Sequence, residues 1–221
     1  MDNRTQMATA VEFTTRLWST LVPHYAGSVL TLRHAQVFQA PHVEALHLPV
    51  AEQRSPGQTV ALMDRTGIYR DADAATVARA YRQRSRLRVY ESIHVQSDGW
   101  YSVAALHLAR LVRRRVILSM YESHADDHAL GKHDDEWDGV IVQMRGAKRW
   151  QVWPRADSDP HEVLTRAGDV LLLPRGMPHD VSTPGDPGGS VHLTFAITDE
   201  PLTANRPALA ASPHGQHTTV R

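Results

Sequence analysis

The second half of the chain consists of short apolar segments separated by turn residues, and this pattern limits the possible folds more than any other feature. Between Val116 and Thr198 the segments read VILSMYE, GVIVQM, KRWQVWP, HEVLTRAGDVLLLP, MPHDVST and SVHLTFAIT. Short strands in succession, each followed by glycine, proline or aspartate, are typical of an antiparallel sandwich or barrel. We therefore predict a mainly β fold for residues 116–199, in which a tight turn at Arg145–Gly146 joins two of the strands.

The first half is predicted to support this β structure with helices and a few strands. Apolar residues recur at helical spacing in residues 8–22, 72–86 and 99–115. The basic residues 113–115 complement the dipole at the end of the last helix. Extended segments are predicted within 28–50, at 59–64 and at 87–95. The prediction is one domain over residues 1–199, with 1–115 as helical and mixed support and 116–199 as the core, followed by a flexible tail at 200–221.

Composition excludes several classes of protein. Lysine plus arginine and aspartate plus glutamate number 24 each, so no net charge attracts nucleic acid or an anionic membrane. The chain has no cysteine, which excludes disulfides and thiolate metal sites, whereas its 14 histidines are available as ligands. No segment resembles a secretory signal or reaches the ~20 apolar residues of a membrane span. We expect a cytoplasmic protein, and its oligomeric state stays open, a homodimer included.

The segment GKHDDEWD places His133 and Asp135 two positions apart. Residues at this spacing on a strand face the same side, so an imidazole and a carboxylate can meet at one point. His179, in PRGMPH, is the third candidate ligand. Two histidines and one carboxylate leave three positions of an octahedral metal open, which is typical of ferrous iron that binds a co-substrate and dioxygen. A His-x-Asp pair is also common in solvated loops, so the spacing alone does not establish a metal site.

Lys148 lies in the strand-like segment AKRWQVW. Alternation places it on the same face as Trp150, with Arg149 on the other face. If the Trp150 face is the interior, Lys148 is a buried lysine, which is costly unless an anion pairs with it. A bound dicarboxylate would supply that anion through charge-assisted hydrogen bonds. The alternatives are the reverse parity, with Arg149 inside, or a Lys148 side chain that extends to the rim of the fold.

Several linked motifs resemble the JmjC branch of the cupin dioxygenases, in particular the ribosomal oxygenases and the asparaginyl hydroxylase that inhibits the hypoxia factor. The resemblance covers roughly residues 116–197. The matching residues are His133, Asp135, Gln143, Gly146, Lys148, Trp150, Gly168, Asp169, Pro174, Arg175, Gly176 and His179. Their order and spacing make the resemblance specific.

The resemblance implies a fold, a metal and two co-substrates. The fold is a double-stranded β-helix, the cupin or jelly-roll barrel. Fe(II) is held by His133, Asp135 and His179. 2-Oxoglutarate chelates the iron and places its distal carboxylate on Lys148, and O2 is the second co-substrate. No catalytic residue beyond the iron centre is implied.

Two further residues are implied to contact the co-substrate. Tyr121 matches a tyrosine that often supports the distal carboxylate in these enzymes, with ordinary strand packing as the alternative. Thr194, beside His192 in SVHLTF, resembles the closing strand of the family, where it lines the site or packs within the barrel.

The acidic segment 123–130 replaces the glycine-rich, apolar approach to the His-x-Asp pair that the family usually has. We hypothesise that it lies near the substrate entrance, where Asp126 and Asp127 favour a cationic group on the substrate. The alternative is a solvated acidic loop.

The sequence therefore predicts an Fe(II)- and 2-oxoglutarate-dependent oxygenase, most simply a hydroxylase acting on a C–H bond of an amino acid, a peptide or natural product, or a protein side chain. The chain ends about forty residues after His179, and we expect the further domains of the ribosomal oxygenases to be missing. The alternatives are a metal-binding cupin that acts as a sensor or structural protein, and a cupin isomerase or dioxygenase that does not use 2-oxoglutarate. The sequence does not identify the substrate.

Overall fold

The computed structural model describes residues 3–26, 29–30, 35–39, 60–70, 74–83, 86–96, 99–155, 157–186 and 188–202. The helices are α1 (Asn3–Leu21), α2 (Ala74–Arg82), α3 (Ile93–Gln96) and α4 (Trp100–Val112), with a 3-10 turn at Val22–His24. The strands are β1 (Tyr25–Ala26), β2 (Val29–Leu30), β3 (Gln36–Gln39), β4 (Val60–Asp64), β5 (Gly67–Tyr69), β6 (Leu87–Tyr90), β7 (Arg114–His124), β8 (Asp138–Val152), β9 (His161–Arg166), β10 (Asp169–Leu173), β11 (His179–Ser182) and β12 (Gly189–Pro201). The strand predicted near residues 44–50 and most of the predicted tail lie outside the described residues. No described helix is long and apolar enough to cross a membrane.

The strands form two antiparallel layers that share β8. The larger layer has the order β3-β10-β8-β12-β7-β6-β4-β5. The second half of β8 pairs with β9 and β11, which form the smaller layer. Apolar side chains of both layers, among them Ile141, Leu171, Trp150 and Val181, belong to one buried cluster. The predicted mainly β fold of the cupin type, with N-terminal supporting helices, is confirmed.

Helices α1 and α4 cover the outer face of the larger layer. Phe13 of α1 packs against Trp100 of α4, with ring centroids 5.3 Å apart, and against Phe195 of β12, at 6.4 Å. Because side chains alternate along a strand, the neighbours of Phe195 on β12, Thr194 and Ala196, face the opposite side. They line a cavity there. The helices therefore close one face of the sheet and leave the other face to the functional site.

Strand β8 is continuous, and the predicted tight turn at Arg145–Gly146 is wrong. The strand pairs with β12 as far as Gly146 and with β9 from Ala147 onward, so no hairpin loop forms. Gly146 has a φ of +68°, and a Cβ there would lie 1.8 Å from the carbonyl oxygen of Gly189. A bulge opposite, between Val191 and His192, accompanies the change of layer. One long bent strand thus delivers residues to both layers.

Three predicted elements of the N-terminal half end earlier than expected. The helix predicted at 72–86 ends at Arg82. The strand predicted at 87–95 ends at Tyr90, because Ser92 adopts a φ of 51° and its carbonyl accepts the N–H of Val95 in a new helical turn. Helix α4 ends at Val112, because Arg113 adopts the left-handed conformation with a φ of 57°. The two arginines after it, 114 and 115, begin β7 instead of ending the helix.

Candidate metal and co-substrate site

Three candidate ligands converge beside the junction of the two layers. The ligand atoms of His133, Asp135 and His179 all lie within 4.8 Å of one another. His133 and His179 form an antiparallel bridge in which each backbone N–H donates to the other's carbonyl, at 3.0 and 2.8 Å. The N–H of Gly176 donates to the carbonyl of Asp135 at 2.8 Å. Backbone hydrogen bonds thus join two segments that lie more than forty residues apart in sequence.

Both imidazoles are oriented through their Nδ1 atoms. Nδ1 of His133 lies 2.8 Å from the carbonyl oxygen of Gly131, and Nδ1 of His179 lies 3.0 Å from that of Met177. A carbonyl only accepts, so these contacts place the proton on Nδ1 and leave the lone pair on Nε2. Nε2 of His179 lies 3.6 Å from Oδ2 of Asp135. Orientation of a histidine by a hydrogen bond on its second nitrogen is the usual arrangement at a metal centre.

The protonation states of His179 and Asp135 also suit a metal. Burial, together with the nearby His133, lowers the pKa of His179 to about 4. Burial raises the pKa of Asp135 to about 6, although His133 opposes this rise. Near neutral pH, His179 is therefore neutral and Asp135 is ionised, which are the forms that bind metals.

Arg175 and Gly176 shape the turn that delivers His179. The backbone N–H and the guanidinium of Arg175 donate to the two carboxylate oxygens of Asp138, both at 3.0 Å. Asp138 is fully buried at the start of β8. The guanidinium also contacts Asp199 of β12. Gly176 has a φ of +70°, and nothing lies within 4 Å of the position that a Cβ would take, so its backbone conformation is what the turn requires. Both residues hold the turn against the sheet and do not line the cavity.

The side chain of Lys148 points into the interior on the same face as Trp150, so the reverse parity with Arg149 inside does not apply. Lys148 is 1% exposed, whereas Arg149 beside it is exposed. Its Nζ donates to the hydroxyl of Thr183 at 2.7 Å, and Ser123 shares that hydroxyl, also at 2.7 Å. Burial lowers the pKa of Lys148 to about 7, and the charge of Asp127 opposes the decrease. Lys148 is thus a buried amino group whose hydrogen bond goes to a neutral hydroxyl.

A cavity of ≈ 270 Å³ connects these groups. The three candidate ligands, Lys148 and Thr194 all line it. Tyr121 and His192 also line it and stack almost in parallel, with ring centroids 4.7 Å apart and an interplanar angle of 5°. The remaining wall is mainly apolar. The structure therefore places the predicted metal residues and the predicted co-substrate residues around one space.

The two stacked rings, Tyr121 and His192, differ in their electrostatic surroundings. His192 is buried, its Nδ1 has no hydrogen-bond partner among the described residues, and burial together with the charge of Lys148 lowers its pKa. Burial raises the pKa of Tyr121, the charges of Asp135 and Glu91 raise it further, and Arg70 lowers it. The hydrogen bond of Lys148 goes to Thr183 and not to Tyr121. The role of Tyr121 beside Lys148 stays a prediction.

The acidic segment 123–130 lies against β11, and its last two residues, Ala129 and Leu130, line the cavity. The backbone of Asp126 donates to the carbonyl of Thr183 at 2.9 Å, and its side chain is exposed. Asp127 is buried, and its carboxylate accepts the backbone N–H of His124 at 2.7 Å. Neither side chain is among the residues that line the cavity. Their predicted role in binding a cationic substrate stays a prediction.

Sequence reasoning missed the residues that the N-terminal half contributes to the cavity. Met63 of β4, Ile68 of β5, Leu87 of β6 and Glu91 after β6 all line it. The alternation in LRVYE places Leu87 and Glu91 on one face, and this was the available signal. This face belongs to the cavity wall because β6 pairs with β7, and the sequence does not indicate that pairing.

Comparisons with known proteins agree with this fold. Residues 88–163 match the JmjC domain family model. Ribosomal oxygenase 2 of Rattus norvegicus is 29% identical over a 93-residue alignment, and the match covers 35% of this chain and 20% of that protein. The bifunctional lysine-specific demethylase and histidyl-hydroxylase NO66 of Drosophila persimilis is 26% identical over a 103-residue alignment, and the match covers 39% of this chain and 15% of that protein.

Solved structures of the Escherichia coli ribosomal oxygenase YcfD share the fold over most of the chain. One has a TM-score of 0.60 at 14% identity and covers 92% of this chain and 62% of its own. Another, of YcfD in complex with cobalt and 2-oxoglutarate, has a TM-score of 0.57 at 15% identity and the same coverage. The chain spans 20% or less of the length of the two curated relatives named above. Part of the chain therefore resembles a JmjC domain, and its fold is similar to that of the ribosomal oxygenase YcfD.

Proposed function

We propose that the protein is an Fe(II)- and 2-oxoglutarate-dependent oxygenase that hydroxylates a C–H bond of its substrate. One observation carries the proposal: His133, Asp135 and His179 surround the same cavity as the buried Lys148. A metal-binding cupin with a sensory or structural role has no need of a buried ammonium beside its metal. An oxygenase that anchors a dicarboxylate does.

The donor set fits ferrous iron. His133 and His179 would bind it through Nε2, because both Nδ1 atoms are engaged with backbone carbonyls. Asp135 would complete a face of two histidines and one carboxylate, which leaves positions for the co-substrate and O2. The backbone bridge between the two histidines keeps their spacing before any metal is bound.

Lys148 fits one carboxylate of 2-oxoglutarate. Burial disfavours its charged form, and a carboxylate would restore the charged form through a charge-assisted hydrogen bond. Thr183 orients the ammonium through its hydroxyl. The anchor also sets the direction of the co-substrate, because only one of its two ends then faces the metal ligands.

The overall reaction converts the substrate C–H group, 2-oxoglutarate and O2 into the hydroxylated substrate, succinate and CO2. Bound iron supplies the activation of O2. The residues of this chain bind and orient the reactants, and the apolar wall excludes water from them. The substrate is an amino acid, a peptide or natural product, or a protein side chain, and the names of the relatives make the last a candidate.

An anaerobic titration tests the proposal. Addition of 2-oxoglutarate to the iron-loaded protein is expected to produce a weak visible charge-transfer band, since both groups must share one site for the band to appear. His179→Ala, which removes a ligand, should abolish it. A wild-type protein that binds iron and shows no band at saturating 2-oxoglutarate would contradict the proposal.

A further inference from the structure

The entrance of the cavity carries an ion pair that the proposed function does not use. Glu91, directly after β6, lines the cavity. Arg70, directly after β5, donates to both carboxylate oxygens of Glu91 at 2.8 Å. The side chains of Arg70 and Glu91 are 52% and 28% exposed, and pairs this exposed contribute little to stability. The fold therefore gains little from a pair at this position.

Both charges of the pair act on the inside of the cavity. The phenol of Tyr121, which lines the cavity, has its pKa raised by Glu91 and lowered by Arg70. Glu91 also follows Leu87 at an even spacing on the inner face of the sheet, so its carboxylate is presented to the cavity and not to the outer helices. The pair thus presents a negative and a positive group, side by side, at the edge of the site.

The rest of the cavity wall is largely apolar. Met63, Ile68, Leu87 and Ile117 belong to it. The whole cavity measures ≈ 270 Å³, just below the ~300–1,000 Å³ of sites for drug-sized ligands, and 2-oxoglutarate takes a share of it. A substrate that fills the rest has a short apolar segment that reaches the metal and polar groups that remain at the entrance.

We propose that the substrate is a free α-amino acid with an aliphatic side chain, an inference that rests on the proposed function. The α-ammonium binds Glu91, the α-carboxylate binds Arg70, and the side chain lies along the apolar wall with its C–H bond toward the metal. The ion pair is the specificity element for the zwitterion.

A zwitterion suits this pair better than a single charge does. A substrate with only a cation would have to break the hydrogen bonds between Arg70 and Glu91 and would leave the guanidinium without that carboxylate. A zwitterion gives each member of the pair a new partner of opposite charge, so no charge is left uncompensated and the net charge of the site is unchanged. Both partners are already oriented for bidentate contact, which favours recognition of a carboxylate by Arg70.

Calorimetric titration of the anaerobic protein, loaded with iron and 2-oxoglutarate, tests the proposal without turnover. The probes are L-leucine, L-isoleucine, L-valine and L-methionine, each also as its N-acetyl and its carboxamide derivative. At least one free amino acid is expected to bind, with both derivatives weaker by about tenfold or more, since each lacks one charge-assisted contact.

Two variants assign the contacts. Glu91→Gln should weaken the free amino acid about tenfold and leave the N-acetyl derivative, which has no ammonium, almost unchanged. Arg70→Gln should do the same for the free acid and spare the carboxamide. The matched control is Glu200→Gln, because Arg115 donates to both oxygens of Glu200 at 3.1 and 3.0 Å in a similarly exposed pair far along the chain. This control should leave amino-acid binding unchanged.

Three outcomes would overturn the inference. The first is that none of the four amino acids binds while the charge-transfer band with 2-oxoglutarate is intact; the proposed function would then stand. The second is that both variants weaken the binding of the free and the derivatised amino acids equally, which would make the ion pair structural. The third is that a lysine-containing peptide binds and its affinity depends on Glu91 but not on Arg70, which would make the site one for a single cation. Absence of the band itself would instead contradict the proposed function.

Discussion

The two ends of the cavity are built by different means. At the metal end, His133 and His179 are joined by a pair of backbone hydrogen bonds, and Lys148 is fixed within β8 and held by Thr183. At the entrance, Arg70 and Glu91 follow two separate strands of the N-terminal half and contact each other through their side chains. The metal end is therefore preorganised by the fold, whereas the entrance can exchange its contacts for those of a ligand.

The largest expected effect concerns Lys148. Lys148→Ala should weaken 2-oxoglutarate binding about 100-fold, because loss of one partner of a buried charge pair costs roughly 2–5 kcal/mol. Iron affinity, measured by anaerobic titration, should stay near that of the wild type, since the candidate ligands are His133, Asp135 and His179. Loss of iron in this variant would show that Lys148 supports the scaffold. Lys148 and the metal ligands would then not have separate roles.

The continuity of β8 should matter almost as much, since this strand carries Lys148. Gly146→Ala places a Cβ 1.8 Å from the carbonyl oxygen of Gly189 at a φ of +68°. We expect the free energy of unfolding to fall by about 2–4 kcal/mol, from the left-handed conformation and the overlap together.

Gly176→Ala is the matched control for that variant. Its φ is +70°, and nothing lies within 4 Å of the added Cβ. Its cost should be about 1–2 kcal/mol, from conformation alone. If urea denaturation showed equal losses in the free energy of unfolding for the two variants, the close contact between β8 and β12 at Gly146 would not contribute to the cost.

A smaller effect is expected from pH. Without a bound dicarboxylate the pKa of Lys148 is about 7, while the bound dicarboxylate favours the ammonium. Above pH 7 binding must therefore take up a proton, so the affinity for 2-oxoglutarate should fall by up to about tenfold per pH unit and should level off below pH 7. Calorimetry in buffers of different ionisation enthalpy measures the uptake. Lys148→Arg should lose the slope, because arginine stays charged; a slope that persists would assign the titration to another group.

The smallest effect on the fold is expected at the entrance. Glu91→Gln should reduce the free energy of unfolding by no more than about 1 kcal/mol, as for other exposed pairs. It should also leave the affinity for 2-oxoglutarate within about twofold, because the anchor lies at Lys148. Chemical denaturation and the anaerobic titration check both values. A loss comparable to that of Gly146→Ala would mean that the entrance is as much a part of the scaffold as the metal end.

Much of the metal end could be predicted because its information is local. The alternation around Lys148 follows from the geometry of a strand. His133 and Asp135 were expected to share a strand face as well, but they precede β8, and His133 takes part only in an isolated bridge with His179. The bend of β8 could not be predicted. Gly146 resembles a turn glycine in sequence, and only its contact with Gly189, more than forty residues later, makes it part of a continuous strand.

The sequence by itself determined the chemical types of the ligands, their order and the fact that Lys148 and Trp150 share a face. The tertiary structure decided which face is the interior, that Thr183 is the partner of Lys148, and that Glu91 belongs to the same cavity. The physical reason is that alternation along a strand fixes relative orientation only. Which side is buried, and which distant strand lies beside it, depends on the packing of the helices and on the pairing of β6 with β7.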